Sequence, residues 1–173
     1  TNTEKNGFLY HIKYKIKNSD KIITVATTRP ETLFGDSAIC INPNDKRYKD
    51  FIGKEAMVPL LDTSIPIIAD EEIDIEFGTG CVKITPAHDF NDYRLGKKHD
   101  LEFINILHKD GRFNDNVGPV FTNKNIHESR SMVVDALKKI GSLNKIEDYK
   151  TTVPIGERSG EIIEPLLTDQ WFM

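Results

Sequence analysis

Residues 8–36 read FLYHIKYKIKNSDKIITVATTRPETLFGD, and the order of signals in this stretch decides the fold. FLYHIKYKIK alternates apolar and polar side chains, the period of a half-exposed strand, and Asn18-Ser19-Asp20 supplies a turn. Ile22 to Thr27 is rich in β-branched residues, so the two runs are expected to pair as an antiparallel hairpin. The second strand delivers Thr27-Thr28-Arg29 to its own end, where Pro30 turns the backbone away. Proline suits the first turn of a short helix, because its missing N–H is not needed there. Thr27 to Thr32 is therefore a polar strand-to-helix corner with free backbone N–H groups close by. An arginine at such a corner either grips a phosphate or carboxylate through a forked pair of hydrogen bonds or pairs with Glu31.

Downstream, short strands are expected at Ser37–Ile41, Ala56–Val58 and Ile65–Ile68, the last two punctuated by Pro59 and Pro66. FGTGCVKITP places a glycine turn before a strand at Cys81–Thr85. PAHDFNDYRLGKKHD has helical composition, with its lysines late, where they suit the helix dipole. A strand at Phe103–His108 runs into the turn KDG. A helix is expected to begin near Asn125, which with Glu128 has the form of a capping box, and to bury Val133, Ala136, Leu137 and Ile140 before Gly141 stops it. The last segment alternates extended runs with the turn GERSG. Strands outnumber helices, and the expected class is α+β, a closed or nearly closed β-barrel with helices packed around it.

At 173 residues the chain is one domain, and 38% hydrophobic with 29% charged residues is the balance of a globular chain. No apolar run approaches the ~20 residues that a membrane span needs. The chain begins at TNTEKNGFLY without methionine and stops at DQWFM, as a piece excised from something larger would. A net charge of -4 argues against a free-standing, high-affinity nucleic-acid binder. The lysines at 13, 15, 17 and 21, and at 97 and 98, read as solvated faces. Cys40 and Cys81 fit small buried hydrophobes in a reducing compartment.

No Gly-x-Ser-x-Gly elbow, phosphate loop, dinucleotide fingerprint or His-Glu-x-x-His occurs, and no histidine stands at a metal-ligand spacing. What the chain does have is a second polar cluster, Lys83-Ile84-Thr85-Pro86-Ala87-His88-Asp89-Phe90-Asn91-Asp92. Lys83 and Thr85 share one strand face. Asp89 and Asp92 lie on one side of the following helix, with His88 four residues from Asp92. Asp89 suits a helix cap on any reading. A lysine between Val82 and Ile84 in a strand needs somewhere polar to point.

In this order, VATTRPETLFGDSAICINPNDKRY and FGTGCVKITPAHDFNDYRLGKKHDL resemble the editing domain of valyl-tRNA synthetases. That domain is the connective peptide 1 insertion of class I synthetases in the isoleucyl, leucyl and valyl branch. RSGEIIEPLLTDQWFM resembles the return to the synthetic core, so the resemblance spans essentially all of residues 1–173, one editing domain of a larger enzyme. Leu33-Phe34 is leucyl-like, whereas Lys83, KITPAHDFNDY and the NPNDKRY loop favour the valyl type. Cys81 and Phe90 depart from the usual valyl alanine and proline. The class I synthesis motifs are absent, so the fragment is not expected to activate an amino acid.

The resemblance implies post-transfer editing in the cytoplasm: hydrolysis of threonine wrongly esterified to tRNA(Val). It implies no cofactor and no metal. The partners would be the tRNA 3′ end and the rest of the synthetase, the isolated fragment being a monomer. Arg29, Lys83 and Asp92 would be the catalytic residues, with Asp92 holding the substrate α-ammonium. Lys83, with Thr85 or Asp89, would read the threonine hydroxyl. Thr27, Thr28 and Arg29 would seat the terminal adenosine and its phosphate, and Thr32, Phe77 and His88 complete the binding set. The alternatives are leucyl- or isoleucyl-type editing, or a module that docks the tRNA end without cleaving it. Convergence of Thr28, Arg29, Lys83 and Asp92 on one cleft is the geometric expectation.

Overall fold

The hairpin forms where the alternation places it. Strand β1 (Asn2–Ile16) pairs antiparallel with β2 (Ile22–Thr27), Tyr10 opposite Thr27 and Lys15 opposite Ile22. Asn18 takes a left-handed φ of 61° in the turn, a conformation asparagine tolerates well. The computed structural model describes the backbone of residues 2–154 and the side chains of residues 7–150. The expected GERSG turn and the closing DQWFM lie outside the described residues.

Five further strands follow: β3 (Ala38–Ile41), β4 (Glu55–Met57), β5 (Ser64–Ala69), β6 (Cys81–Ile84) and β7 (Leu143–Pro154). Their order is β2-β1-β4-β5-β3-β6, with β7 also on β1. One edge of β1 is shared in sequence by β7, from Asn2 to Ile12, and β4, at Lys15 and Ile16. The β3–β5 pair is parallel and the other pairs are antiparallel. Thr79 Oγ1 donates to the Thr24 carbonyl at 2.6 Å and so ties the β6 side of the sheet back to β2. Gly78 makes that approach possible, since a Cβ there would stand 2.8 Å from the Ala26 methyl. The fold is α+β, a mixed sheet nearly closed into a barrel.

Tyr10, Ile12, Tyr14 and Ile16 point inward from β1, against Ile23, Val25, Ile39, Ile41, Ile65 and Ile67. Phe34 meets Phe113 edge-on at 5.6 Å between ring centroids. Strand β3 is buried on both faces, since Ala38 and Cys40 pack with Ile84 and Leu95 under the helix after β6. This is why AICI reads as continuous rather than alternating. Burial raises the thiols of Cys40 and Cys81 to about 12 and about 11, which suits inert packing.

The helices are α1 (Phe90–Lys98) and α2 (Arg130–Lys139). Two expectations about this half of the chain are corrected. The helix expected near Asn125 begins at Arg130, because Asn125 caps a separate turn, its Oδ1 accepting from the His127 and Glu128 N–H groups. Val133 and Leu137 are buried as expected, but Ile140 lies past the helix end, 55% exposed, and Val134 is buried instead. Phe103–His108 is not a strand; Leu107 alone bridges to Phe113. Side chains satisfy part of its backbone, since Asn114 and Asn116 donate to the Asn105 carbonyl and the Ile106 N–H donates to His88 Nε2, while the Ile106 carbonyl accepts from the Asn114 N–H and the His108 N–H donates to the Arg112 carbonyl.

Helix α1 lies close on Pro86, and Gly96 is the contact. A Cβ there would meet Pro86 Cβ at 2.7 Å and Phe103 Cζ at 3.1 Å. Alanine ordinarily favours a helix by about 1 kcal/mol over glycine, but overpacking costs about 1–3 kcal/mol. Gly96→Ala is therefore expected to lower stability in urea denaturation. An unchanged or raised midpoint would show that α1 slides freely on Pro86.

Candidate active site

The two polar corners foreseen in the sequence face one cavity of about 510 Å³. The first is built by the end of β2 and the 3-10 turn Pro30–Gly35. Proline stands at its start, and Thr27 Oγ1 accepts the Arg29 N–H at 3.1 Å. Arg29 reaches across to the second corner, donating to the His88 carbonyl at 2.7 Å. Glu31 lies 4.0 Å from the Arg29 Nε, yet its close partner is Arg130 of α2, which holds it through bonds of 2.8 and 2.6 Å. Thus Glu31 is fully buried and serves to fasten α2 to the corner, leaving Arg29 on the cavity wall.

The second corner is the end of β6 and the start of α1. Asp89 caps the helix, its Oδ1 accepting from the Asn91 and Asp92 N–H groups. Asp92 Oδ2 accepts the Thr85 N–H at 2.9 Å and so locks the first turn of α1 to the strand end. Burial raises the Asp92 carboxyl to about 7, with the neighbouring Asp89 charge adding to the effect. Lys83 and Thr85 share a strand face as expected, with Lys83 Nζ donating to Thr85 Oγ1 at 2.8 Å.

Lys83 also donates to Thr32 Oγ1 at 2.7 Å and Asp36 Oδ1 at 2.8 Å, so the three ammonium hydrogens have three partners. Asp36 Oδ1 further accepts from Thr85 Oγ1 at 3.0 Å, and Asp36 Oδ2 accepts from the Tyr14 hydroxyl at 2.5 Å. Desolvation raises the Asp36 carboxyl, against the opposing pull of Lys83, Tyr14 and Thr85. The charge partner of Lys83 is thus Asp36.

Thr27, Thr28, Arg29, Thr32, Phe77, Lys83, Thr85, Asp89 and Asp92 all line the cavity. Thr28, Arg29, Lys83 and Asp92 converge as expected. His88 is the exception. It precedes α1, is fully buried beneath the corner, and its Nε2 accepts the Ile106 N–H at 2.9 Å. Burial, then the Arg29 and Lys83 charges, lower it to about 4, so it is neutral at pH 7. Its ring braces the segment at Ile106, and its backbone carbonyl holds the Arg29 side chain.

Sequence reading missed Asp36, Tyr14, Arg130 and Tyr149. Tyr149 lines the cavity from β7 and meets Phe77 edge-on at 6.0 Å. Only Tyr14 carried a signal, as a phenol in an inward row of isoleucines that needs an acceptor.

The raised Asp92 carboxyl has a consequence for stability. A native-state value near 7 against about 3.9 unfolded means that the folded chain binds more protons between those pH values. Stability then falls as pH rises from about 4 to 7. Asp92→Asn keeps an oxygen for the Thr85 N–H and removes the charge. It is expected to raise stability by about 1–3 kcal/mol at pH 8 and to change little at pH 4. A gain equal at both values, measured by denaturation, would contradict the assignment.

The family model described as "Leucyl-tRNA synthetase, editing domain" matches residues 44–151. The valine–tRNA ligase of Christiangramia forsetii is 52% identical over 98% of this chain and 19% of its own length. Those of Legionella pneumophila (strain Paris) and Coxiella burnetii are each 51% identical over 98% of this chain and 18% of their own. The chain thus spans about a fifth of the length of these relatives. Among solved structures, GlLeuRS-CP1 superposes with a TM-score of 0.64 at 13% identity, over 81% of this chain and 99% of that one. LeuRS of Agrobacterium radiobacter, in a ternary complex with tRNA and LeuAMS, gives 0.62 at 15% identity over 96% of this chain and 24% of that one. At such identities these two bear on the fold alone.

Proposed function

Because the chain belongs to the family of aminoacyl-tRNA synthetase editing domains, we propose that it hydrolyses the ester of threonine misattached to tRNA(Val). The observation that carries this reading is the shared cavity: Lys83, Thr85 and Asp92 face the same space as the Thr27–Arg29 corner. Threonine and valine are near-isosteres, and a hydrophobic synthetic pocket rejects an added hydroxyl poorly, a case for which valyl enzymes are themselves the usual example. A second site discriminates in the opposite sense by offering hydrogen bonds that valine cannot return.

Each residue has a task in this reading. Asp92, poised near neutral pH, ionises fully when a substrate α-ammonium arrives beside it. Thr27, Thr28 and Arg29 seat the terminal nucleotide, the Arg29 charge on the cavity wall attracting its phosphate. Lys83 has no spare hydrogen, so a substrate hydroxyl enters by taking over one of its bonds from Thr32 or Thr85. Valine displaces the same bond and returns nothing, at a cost of ~1–3 kcal/mol for the buried group left unpaired. The ester is already activated, so a positioned water and stabilisation of the developing oxyanion suffice, and no side chain is assigned as general base. The partners in this reading are the tRNA 3′ end and the remainder of a cytoplasmic synthetase. No helix among the described residues is long and apolar enough to cross a membrane.

The test is to incubate the chain with Thr-tRNA(Val), Val-tRNA(Val) and Ile-tRNA(Leu) and follow deacylation. Selective loss of the threonyl ester is expected. Preference for the leucyl-tRNA ester would assign leucyl-type editing. Binding of all three without cleavage would reduce the chain to a docking module.

A further inference from the structure

Tyr14 lies beneath the cavity and lines no part of it. Its side chain is fully buried in the inward row of β1, between Ile12 and Ile16. A phenylalanine would fill that place among the isoleucines equally well, so the packing does not explain the hydroxyl. Among the described residues the hydroxyl has one partner, Asp36 Oδ2 at 2.5 Å, while Lys83 and Thr85 hold the other oxygen. The carboxylate is thereby gripped at both ends, by Tyr14 from below and by Lys83 from the cavity side.

We propose that Tyr14 is a positioning residue for substrate discrimination: its hydroxyl holds the Asp36 carboxylate in the orientation that fixes the Lys83 ammonium at the cavity wall. The proposal rests on the editing reading given above. Without the phenol, Asp36 Oδ2 faces apolar surroundings with no donor, which favours the protonated or rotated carboxyl. Either change removes the charge partner that keeps Lys83 in place. The ionisable groups acting on Asp36 are Lys83 from β6 and Tyr14 from β1, and the Asp36 charge in turn raises the Asp92 carboxyl on α1. Burial and the Asp36 charge push the phenol well above its usual range, so it remains a donor at any working pH.

The experiment compares Tyr14→Phe, Asp36→Asn and the double variant with the parent chain, each checked for folding by circular dichroism. Deacylation of Thr-tRNA(Val) and Val-tRNA(Val) is measured, and the Asp36 carboxyl is titrated by carbon-13 NMR in the parent and in Tyr14→Phe. Tyr14→Phe is expected to slow threonyl ester hydrolysis about tenfold while the valyl background changes little, so the ratio falls. The double variant should be no slower than Asp36→Asn alone, because Tyr14 acts only through that carboxylate. The carboxyl should titrate at higher pH in Tyr14→Phe. Equal losses on both esters, or losses that add in the double variant, would overturn the proposal in favour of a purely structural phenol. If the parent chain hydrolyses neither ester, the editing reading fails and the carboxyl titration decides alone. An unmoved titration overturns the Tyr14–Asp36 coupling, and an upward shift upholds it.

Discussion

Lys83→Ala is expected to slow threonyl ester hydrolysis by on the order of 10–100-fold while leaving the slow valyl background little changed, because a hydrogen bond from a charged donor contributes about 1.5–3 kcal/mol. The same substitution strands Asp36, fully enclosed and without its cation. Removing one partner of a buried ion pair costs about 3–5 kcal/mol, so Lys83→Ala is also expected to be markedly less stable. A second variant separates the two effects. Lys83→Met with Asp36→Asn removes both charges together and keeps most of the side-chain volume. It should recover most of the stability and none of the threonyl activity. Kinetics on both esters, with denaturation of both variants, read the outcome. Equal losses on the two esters would reassign Lys83 from reading the hydroxyl to stabilising the transition state in general.

Asp92→Ala is expected to slow deacylation of every ester by on the order of 10–100-fold, since the α-ammonium is common to all of them. Two features of Asp92 make it the residue to test. It lines the cavity, and its carboxylate oxygen already fixes the Thr85 N–H, so the group that would meet the ammonium also anchors α1. Asp92→Asn preserves that anchor and removes only the charge, so it should lose activity without losing stability. An asparagine variant as active as the parent would place the ammonium elsewhere, with Asp89 the next carboxylate on the wall.

Both variants probe residues that the amino-acid sequence alone singles out, and the reason is local. The period-two alternation of residues 8–17, the β-branched run before Thr27 and the proline at 30 each act over a few neighbours. Lys83 and Thr85 two apart, and Asp89 and Asp92 three apart, share a face by backbone geometry alone. Asp89 as the α1 cap follows in the same way. Where a local signal had two uses, it misled. Asn125 and Glu128 have the form of a helix cap, and the asparagine caps a turn five residues before the helix begins. His88 stood in a polar cluster, and its ring is turned inward to a backbone N–H eighteen residues away.

Spacing along single segments was enough to specify most strands and turns of the barrel, the two polar corners and the residues that stand on them. What those residues meet came from the folded chain: Asp36 and Tyr14 under Lys83, Arg130 on Glu31, Tyr149 beside Phe77. So did the rise of the Asp92 carboxyl to about 7 and the fall of the His88 ring to about 4. The partners come from chain segments far apart in sequence, brought together by the closing of the sheet. The shifts arise because that closure takes water away from charged groups, and how much water a group loses depends on everything packed around it, not on its neighbours in the chain.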